Sequence, residues 1–256
     1  SHPAALRVQA FEDSNNNGAW GTNEKKLPGA VITLLTREGS VVTAHASGVT
    51  DAEGALVLNA PAGEYILRCE LPEDYGYSKP GGKDSLTSNM MEDHVERTQE
   101  LASVVLSEAG EAQVGIGAMK MATLTGTVWQ DDNADGLWQD GEPGVANVRV
   151  TAEGVRNGLV YETLTDADGR FEIDQIRNGT YDVTYYVPDG YVFTFKANGP
   201  QQRRSLMTTE AERTGNDRVI FEKGETIDEQ NVGFVKECVV EGVCFLDANH
   251  NGYMDE

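Results

Sequence analysis

The sequence contains few histidines and basic residues and has no long apolar run. Its 4 histidines are scattered, and no zinc-peptidase, nucleophile-elbow or Ser-x-x-Lys motif is present, so we do not expect an enzyme. Its 20 basic residues against 42 acidic ones leave a formal charge of −22, which argues against nucleic acid or anionic lipid as a partner. No stretch of about 18 apolar residues occurs, so we expect no membrane insertion in this fragment.

The 3 cysteines do not indicate a disulfide framework. Cys238 and Cys244 would lie on one strand about 20 Å apart, which is too far for a local bridge. Cys69 falls on the apolar face of a predicted strand, and the sequence has no Cys-x-x-Cys or Cys/His zinc pattern. We interpret all three as buried or incidental thiols.

One acidic stretch, Asp131–Glu142, matches the calcium-loop pattern D-x-[DN]-x-[DN]-G-x5-E at every position. Such a loop supplies oxygen ligands from alternate side chains, one backbone carbonyl and a closing glutamate, with a glycine at the sharp turn. The pattern therefore predicts a Ca2+ site, and its ligands would be Asp131, Asn133, Asp135, the carbonyl of Leu137, and Glu142.

The same pattern occurs twice more, at intervals of 118 and 116 residues counted from Asp13 to Asp131 and from Asp131 to Asp247. The first copy predicts as ligands Asp13, Asn15, Asn17, the carbonyl of Ala19, and Glu24. The third copy ends before its closing acid and predicts Asp247, Asn249 and Asn251. The eighth position is apolar in all three copies, which we interpret as an anchor onto a core: Trp20, Trp138 and Met254.

Shorter motifs recur with the loops, so the chain is predicted to contain consecutive modules over residues 1–119, 120–236 and 237–256, the last one truncated. We expect the final segment to pack against the second module. Because the chain begins with Ser-His, as a tag remnant would, and ends inside a repeat, we expect it to be a piece of a longer protein.

The modules are predicted to be all-β, since apolar and polar residues alternate in short segments separated by turn residues. Tyr181–Val187 shows this alternation, and Asp168-Gly169 predicts a hairpin between the strands on either side. The least regular stretches, 78–103 and 194–216, are predicted to be long excursions, and a short helix is considered for Met90–Glu96 within the first of them. Two-layer β-sandwiches are the expected architecture.

The second module resembles the B-repeat domains of Gram-positive serine–aspartate-repeat surface proteins, which are SdrD B-like and related to Cna B-type modules. The residues that carry this resemblance are Gly126–Asp131, Asp140–Val145, Gly169–Phe171, Asn178–Tyr181 and Pro188–Tyr191. The resemblance implies tandem transthyretin/prealbumin-like (Ig-like) β-sandwich modules with EF-hand-like calcium loops. It also implies that Asp140 and Asp166 complete or add a calcium site in the second module.

The resemblance further implies an extracellular location on the bacterial cell surface, with attachment to the cell wall through a region outside this fragment. The expected function is that of a calcium-stiffened, non-catalytic and monomeric stalk whose partners are neighbouring B-type modules. Two alternatives remain open: an adhesin module that binds a host extracellular protein or glycan, and a module of a pilin or extracellular scaffold. An internal Lys–Asn or Lys–Asp isopeptide bond, common in related modules, is not expected because neither first strand contains a lysine.

Overall fold

The computed structural model describes residues 3–81, 86–200, 203, 205–206, 213–238, 241–242, 244–247, 250 and 253. Within these residues the chain is all-β, as predicted, and it has no α-helix. The described residues therefore include no helix that could cross a membrane. The strands are β1 Ala4–Glu12, β2 Val31–Glu38, β3 Val41–Val49, β4 Ala55–Ala60, β5 Gly63–Glu70, β6 Tyr75–Tyr77, β7 Thr98–Leu106, β8 Glu111–Lys120, β9 Ala122–Gln130, β10 Arg149–Gly154, β11 Val160–Leu164, β12 Arg170–Ile176, β13 Gly179–Tyr186, β14 Tyr191–Phe193, β15 Thr214–Phe221, β16 Thr226–Ile227 and β17 Val232–Lys236.

The first eight strands form two sheets that enclose one hydrophobic core, and we call this unit the first sandwich. One sheet has the order β4-β1-β8-β6 and the other has the order β3-β2-β5-β7. Both sheets contribute to the core, for example through Leu6 and Ile116 from one and Ile32 and Leu67 from the other. Strands β1 and β8 pair in parallel, whereas the remaining pairs are antiparallel.

The second sandwich, β9 to β17, repeats this topology around a separate core. Its sheets have the orders β12-β9-β17-β14, with β16 beside β9, and β11-β10-β13-β15. The first and last strands are again parallel neighbours, since β9 pairs with β17. The apolar alternation predicted for β13 is confirmed: Tyr181, Val183 and Tyr185 are all fully buried.

Two local predictions were wrong. Strands β11 and β12 do not form a hairpin, because β11 pairs with β10 in one sheet and β12 pairs with β9 in the other. The turn between them connects the two sheets, and Gly169 lies so close to β9 that an added Cβ would be 2.0 Å from the carbonyl oxygen of Val128. Met90–Glu96 does not form a helix. Met90 is buried in the first core, and Asp93 Oδ1 accepts the backbone N–H groups of Val95 and Glu96 in a turn.

The thiol prediction is confirmed, since all three cysteines are free. Burial raises the pKa of the Cys69 thiol to about 12, whereas Cys238 and Cys244 are exposed. Beyond β17, the described residues Phe245 and Leu246 are exposed and form no strand, while Asp247 is half-buried. The candidate ligands Asn249 and Asn251 lie outside the described residues, as does Met254.

Candidate metal-binding loops

The second acidic loop begins where β9 ends, and its first residue is tied to the last strand of the same sandwich. The Asp131 backbone N–H donates to the carbonyl of Phe234 at 2.7 Å. The Asp131 carboxylate is only 2% exposed, yet it accepts backbone N–H bonds from Asp135 (3.2 Å) and Gly136 (2.8 Å). The Thr194 hydroxyl donates to the same carboxylate at 2.5 Å. These donors offset the cost of burying the charge.

The remaining predicted ligands of this loop form successive side-chain to backbone turns. Asn133 Oδ1 accepts the N–H of Asp135 at 3.1 Å, and Asp135 Oδ1 accepts that of Leu137 at 2.8 Å. The closing Glu142 spans the loop, because Oε1 accepts the N–H of Asp132 at 3.0 Å and Oε2 accepts that of Gln139 at 2.8 Å. The side-chain oxygens that the sequence predicts as ligands therefore also hold the loop closed.

The first acidic loop repeats this arrangement. Asp13 is fully buried, and its carboxylate accepts the N–H groups of Asn17 (3.0 Å) and Gly18 (2.8 Å). Asn15 Oδ1 accepts the N–H of Asn17, and Asn17 Oδ1 accepts that of Ala19. Glu24 closes this loop as Glu142 closes the second, by accepting the N–H groups of Ser14 at 3.2 Å and Gly21 at 2.8 Å.

The glycine at position six is required in both loops. Gly18 and Gly136 have φ angles of +77° and +76°, which side chains rarely adopt. Space is also lacking, since an added Cβ would lie 2.6 Å from the Cα of Gly81 in the first loop and 2.3 Å from the carbonyl oxygen of Phe195 in the second. The turn positions predicted from the sequence are therefore the positions at which the structure demands glycine.

Each loop rests on an aromatic residue of the preceding strand, through the apolar residue at position eight. Trp138 stacks on the fully buried Trp129 with ring centroids 6.2 Å apart, and Trp20 stacks on Phe11 at 6.3 Å. Trp138 also donates from Nε1 to the carbonyl of Glu142 at 3.3 Å. The predicted anchoring role of position eight is confirmed for these two loops.

The donor chemistry of both loops fits a hard divalent cation such as Ca2+, because all the predicted ligands are oxygens and each carboxylate retains unused lone pairs. In the second loop, Gln139 Oε1 is also a buried acceptor without a hydrogen-bond partner among the described residues. No three Asp, Glu, His or Cys side chains in the described ranges converge as a metal site. Asp135 Oδ2 instead accepts the amide N–H groups of Asn133 and Gln139. A bound cation would have to replace these two amide donors.

The two additional predicted ligands lie apart from the loop's hydrogen-bond network. The Asp140 side chain is 99% exposed and lies 3.6 Å from Arg203. Asp166 is in the turn between β11 and β12, where Oδ1 accepts the N–H groups of Asp168 (2.9 Å) and Arg170 (2.8 Å). In this structure Asp166 stabilises a turn. No sequence motif indicated Thr194, which reaches Asp131 from a distant part of the chain.

Residues 122–234, which span the second sandwich and its loop, match the family model described as "SdrD B-like domain". The second sandwich is an SdrD B-like domain. This result confirms the resemblance inferred from the sequence motifs. The acidic loop that follows β9 and its closing Glu142 both lie inside the matched residues, so the loop is part of the SdrD B-like domain.

Relatives of the chain carry serine–aspartate repeat names. Serine-aspartate repeat-containing protein F of Staphylococcus epidermidis is 30% identical over 198 residues, which are 75% of this chain and 10% of that protein. Serine-aspartate repeat-containing protein D of Staphylococcus aureus strain Newman is 29% identical over 253 residues, 96% of this chain and 18% of that protein. The chain therefore spans less than a fifth of these relatives, and the similarity to protein D extends beyond the SdrD B-like domain into the first sandwich.

Among solved structures, a mutant of shaft pilin SpaA from Lactobacillus rhamnosus GG is similar with a TM-score of 0.34 and 10% identity, covering 93% of this chain and all of that one. The Streptococcal ancillary pilin has a TM-score of 0.36 and 12% identity, covering 93% of this chain and 63% of that one. Scores this low do not establish a shared arrangement of the whole chain.

Proposed function

We propose that this chain is part of the non-catalytic stalk of a bacterial cell-surface adhesin, in which Ca2+ stiffens consecutive B-type modules. The modules are residues 1–119, residues 120–236 and the start of a third at 237–256, each a transthyretin-like sandwich in the complete protein. The partners of each module are its neighbours in the same chain, and the fragment itself is monomeric. The protein is extracellular and attached to the cell wall outside this fragment.

The observation that supports this function is the duplication of one loop design. Both sandwiches place an acidic loop directly after their first strand, with a buried aspartate at position one, a left-handed glycine at position six and a closing glutamate. In each loop, six side-chain oxygens at matching positions accept the backbone N–H groups of matching residues. The duplicated oxygens are hard donors of the kind that Ca2+ takes as ligands, and they recur at the same loop positions in both sandwiches.

The energetic role of Ca2+ follows from linkage. A cation that binds the folded loop but not the unfolded chain stabilises the fold by RT ln(1 + [L]/Kd), which is about 2.7 kcal/mol at a hundredfold excess over Kd. Extracellular calcium modules bind with Kd on the order of 10⁻⁴ to 10⁻³ M, which suits millimolar external calcium. The net charge of −22 adds a second contribution, since bound cations reduce repulsion among the acids.

Thermal unfolding of the whole chain, with millimolar Ca2+ and then with excess chelator, tests this function. We expect Ca2+ to raise Tm, and we expect Asp135→Ala or Glu142→Ala to remove most of the gain in the second sandwich. Asp140→Ala tests the additional site implied by the resemblance, and Asp189→Ala, whose fully exposed side chain lies outside the loop, is the control. Unchanged melting in Ca2+ would refute the calcium-stiffened stalk.

An adhesin module that binds a host protein or glycan is the second candidate, and one observation favours it. Strand β3 is an edge strand, and its residues Val41, Val42 and Val49 are 63%, 45% and 53% exposed. An exposed apolar edge can accept a strand from a partner. If binding to host cells is lost in a Val42→Lys variant whose calcium response is intact, the binding function is supported over the stalk.

A further inference from the structure

The first acidic loop lies at the junction between the two sandwiches. Because β1 and β8 run in parallel, the loop that follows β1 is at the same end as the point where the chain leaves β8. Only Met121 separates β8 from β9, and this residue is buried, with its N–H donating to the carbonyl of Asp74 at 2.6 Å. A cavity of about 180 Å³ at the junction is lined from both sides, by Ser14, Asn23 and Glu24 of the loop and by Asn178, Glu222 and Lys223 of the second sandwich.

A side-chain relay crosses this junction through Glu92. Asn16, at position four of the first loop, donates from Nδ2 to Glu92 Oε1 at 3.3 Å. The same carboxylate oxygen lies 2.5 Å from Arg177 Nη2 of the second sandwich. The side chains of this ion pair are 31% and 25% exposed, less than those of exposed pairs such as Arg149–Glu162, at 46% and 49%. Because water screens the charges of a less exposed pair less, the Arg177–Glu92 attraction is stronger than that of an exposed pair. This pair is therefore better suited to couple a movement of Glu92 to Arg177.

The far end of the relay is fixed to the core of the second sandwich. The backbone N–H of Arg177 donates to the Tyr161 hydroxyl at 3.1 Å, and the Tyr181 hydroxyl donates to the Arg177 carbonyl at 2.7 Å. Tyr181 is fully buried. A second inter-sandwich bond lies nearby, from Gln175 Nε2 to Asp74 Oδ1 at 2.8 Å. The backbone of Arg177 is therefore anchored to a buried tyrosine of the second core, while its side chain contacts Glu92.

We infer that Glu92 couples the first acidic loop to the second sandwich, so that ordering of this loop by a cation restricts the angle between the two sandwiches. The inference rests on the proposed calcium binding and adds a route by which one loop acts on the neighbouring module. Glu92 is a positioning residue in this scheme. It contacts the loop through Asn16, which is outside the predicted ligand set.

The second loop supplies a natural comparison. Its residue at position four is Ala134, which has φ +57°, close to the +52° of Asn16, but has no amide to reach a partner. Asn16→Ala therefore gives the first loop the residue that the second loop already tolerates in this conformation. The substitution removes the bond to Glu92, together with the bond from the Lys79 N–H to Asn16 Oδ1, and leaves all five predicted ligands in place.

The test measures the inter-sandwich distance by pulsed electron spin resonance. Spin labels at Val41→Cys and Val160→Cys, both on exposed strand positions, report one sandwich each. Cys238 and Cys244 are replaced by serine, while Cys69 is buried and stays unlabelled. Distance distributions are recorded in millimolar CaCl2 and in excess chelator, beside thermal melts of the same samples.

We expect the distribution to narrow on addition of Ca2+ in the parent chain, and we expect this narrowing to be lost in Asn16→Ala and in Arg177→Gln. Arg149→Gln, which breaks an exposed pair within one sandwich, is the control and should retain it. Full narrowing in Asn16→Ala overturns the inference, as does a parent chain whose Tm rises with Ca2+ while its distribution is unchanged. Absence of any Ca2+ effect on Tm would instead refute the proposed function as well.

Discussion

Removal of the Thr194 hydroxyl should destabilise the second sandwich. The hydroxyl is buried and donates to Asp131 Oδ2 at 2.5 Å, and that oxygen otherwise accepts one backbone N–H bond, from Gly136. A hydrogen bond to a charged group contributes about 1.5–3 kcal/mol, and valine preserves the shape of threonine. We therefore expect Thr194→Val to lower the free energy of unfolding by about 2 kcal/mol, because the buried carboxylate loses a donor.

The first sandwich provides a matched substitution with the opposite expectation. Ser78 follows β6 just as Thr194 follows β14, but the buried Ser78 Oγ has no hydrogen-bond partner among the described residues. A buried hydroxyl without a partner carries its desolvation cost with no compensating bond. We expect Ser78→Ala to be neutral or to stabilise the first sandwich by up to about 1 kcal/mol.

Equilibrium unfolding in urea, followed by tryptophan fluorescence, separates these effects. Trp20 is in the first sandwich, and Trp129 and Trp138 are in the second, so Trp20→Phe yields a chain that reports the second sandwich alone. The Ser78→Ala effect is read from Trp20 in the double variant Trp129→Phe/Trp138→Phe, with that double variant as its reference. Thr214→Val, at an exposed threonine of β15, is the control and should lie within about 0.5 kcal/mol of the parent. The reasoning is refuted if Thr194→Val is equally neutral, or if Ser78→Ala costs as much as Thr194→Val.

Three further predictions address the loop turn, the pH response and the buried thiol. Gly136→Ala should destabilise by more than about 1 kcal/mol in urea unfolding, because its Cβ would meet a carbonyl oxygen at 2.3 Å. Gly158→Ala, at a similar φ of +69° but in open space, isolates the backbone strain and should cost less. Glu100 accepts hydrogen bonds from Arg68 and Arg37 that lower its pKa, so it contributes stability that is present above its unfolded pKa of about 4.3 and lost as pH falls through the folded value. The stability difference between the parent and Glu100→Gln, at most about 1 kcal/mol, should therefore shrink below about pH 4 in acid titrations. Cys69 should resist a thiol reagent at pH 8 until the first sandwich unfolds, while the two exposed cysteines react at once in a timed labelling assay.

Local sequence patterns were sufficient to predict the strands and the acidic loops. Alternating apolar residues identified β13 because every inward side chain on that strand is apolar, and the acidic loops were recognisable because each requires a left-handed glycine at position six. The pairing of the strands could not be predicted from these patterns. The turn at Asp168-Gly169 has the sequence of a hairpin, yet it connects two sheets, because a core must be covered from both sides and neither strand's own pattern states which sheet it joins.

The part of each site that lies within one continuous stretch of sequence could be predicted. The side-chain oxygens that the calcium-loop pattern predicts in the first two loops belong to their loop's hydrogen-bond network, since consecutive turns place alternate side chains on one side of a loop. Asp140, which only the resemblance adds, lies outside that network. Residues that reach the loops from elsewhere were not predicted. Thr194 and Glu92 are in the two predicted long excursions, and only the tertiary fold brings them to Asp131 and Asn16.

The parallel pairing of first and last strands has a mechanical consequence. Tension along the chain pulls β1 and β8 toward opposite ends, so it shears the ladder between them and loads its hydrogen bonds together. In the first sandwich this ladder extends over Ala5–Glu12, whereas β9 pairs with β17 only over Val128–Gln130 and with β16 over Thr123–Leu124. Under a steady pull from its two ends, the second sandwich should yield first, and the acidic loop after β9 should be drawn out with it.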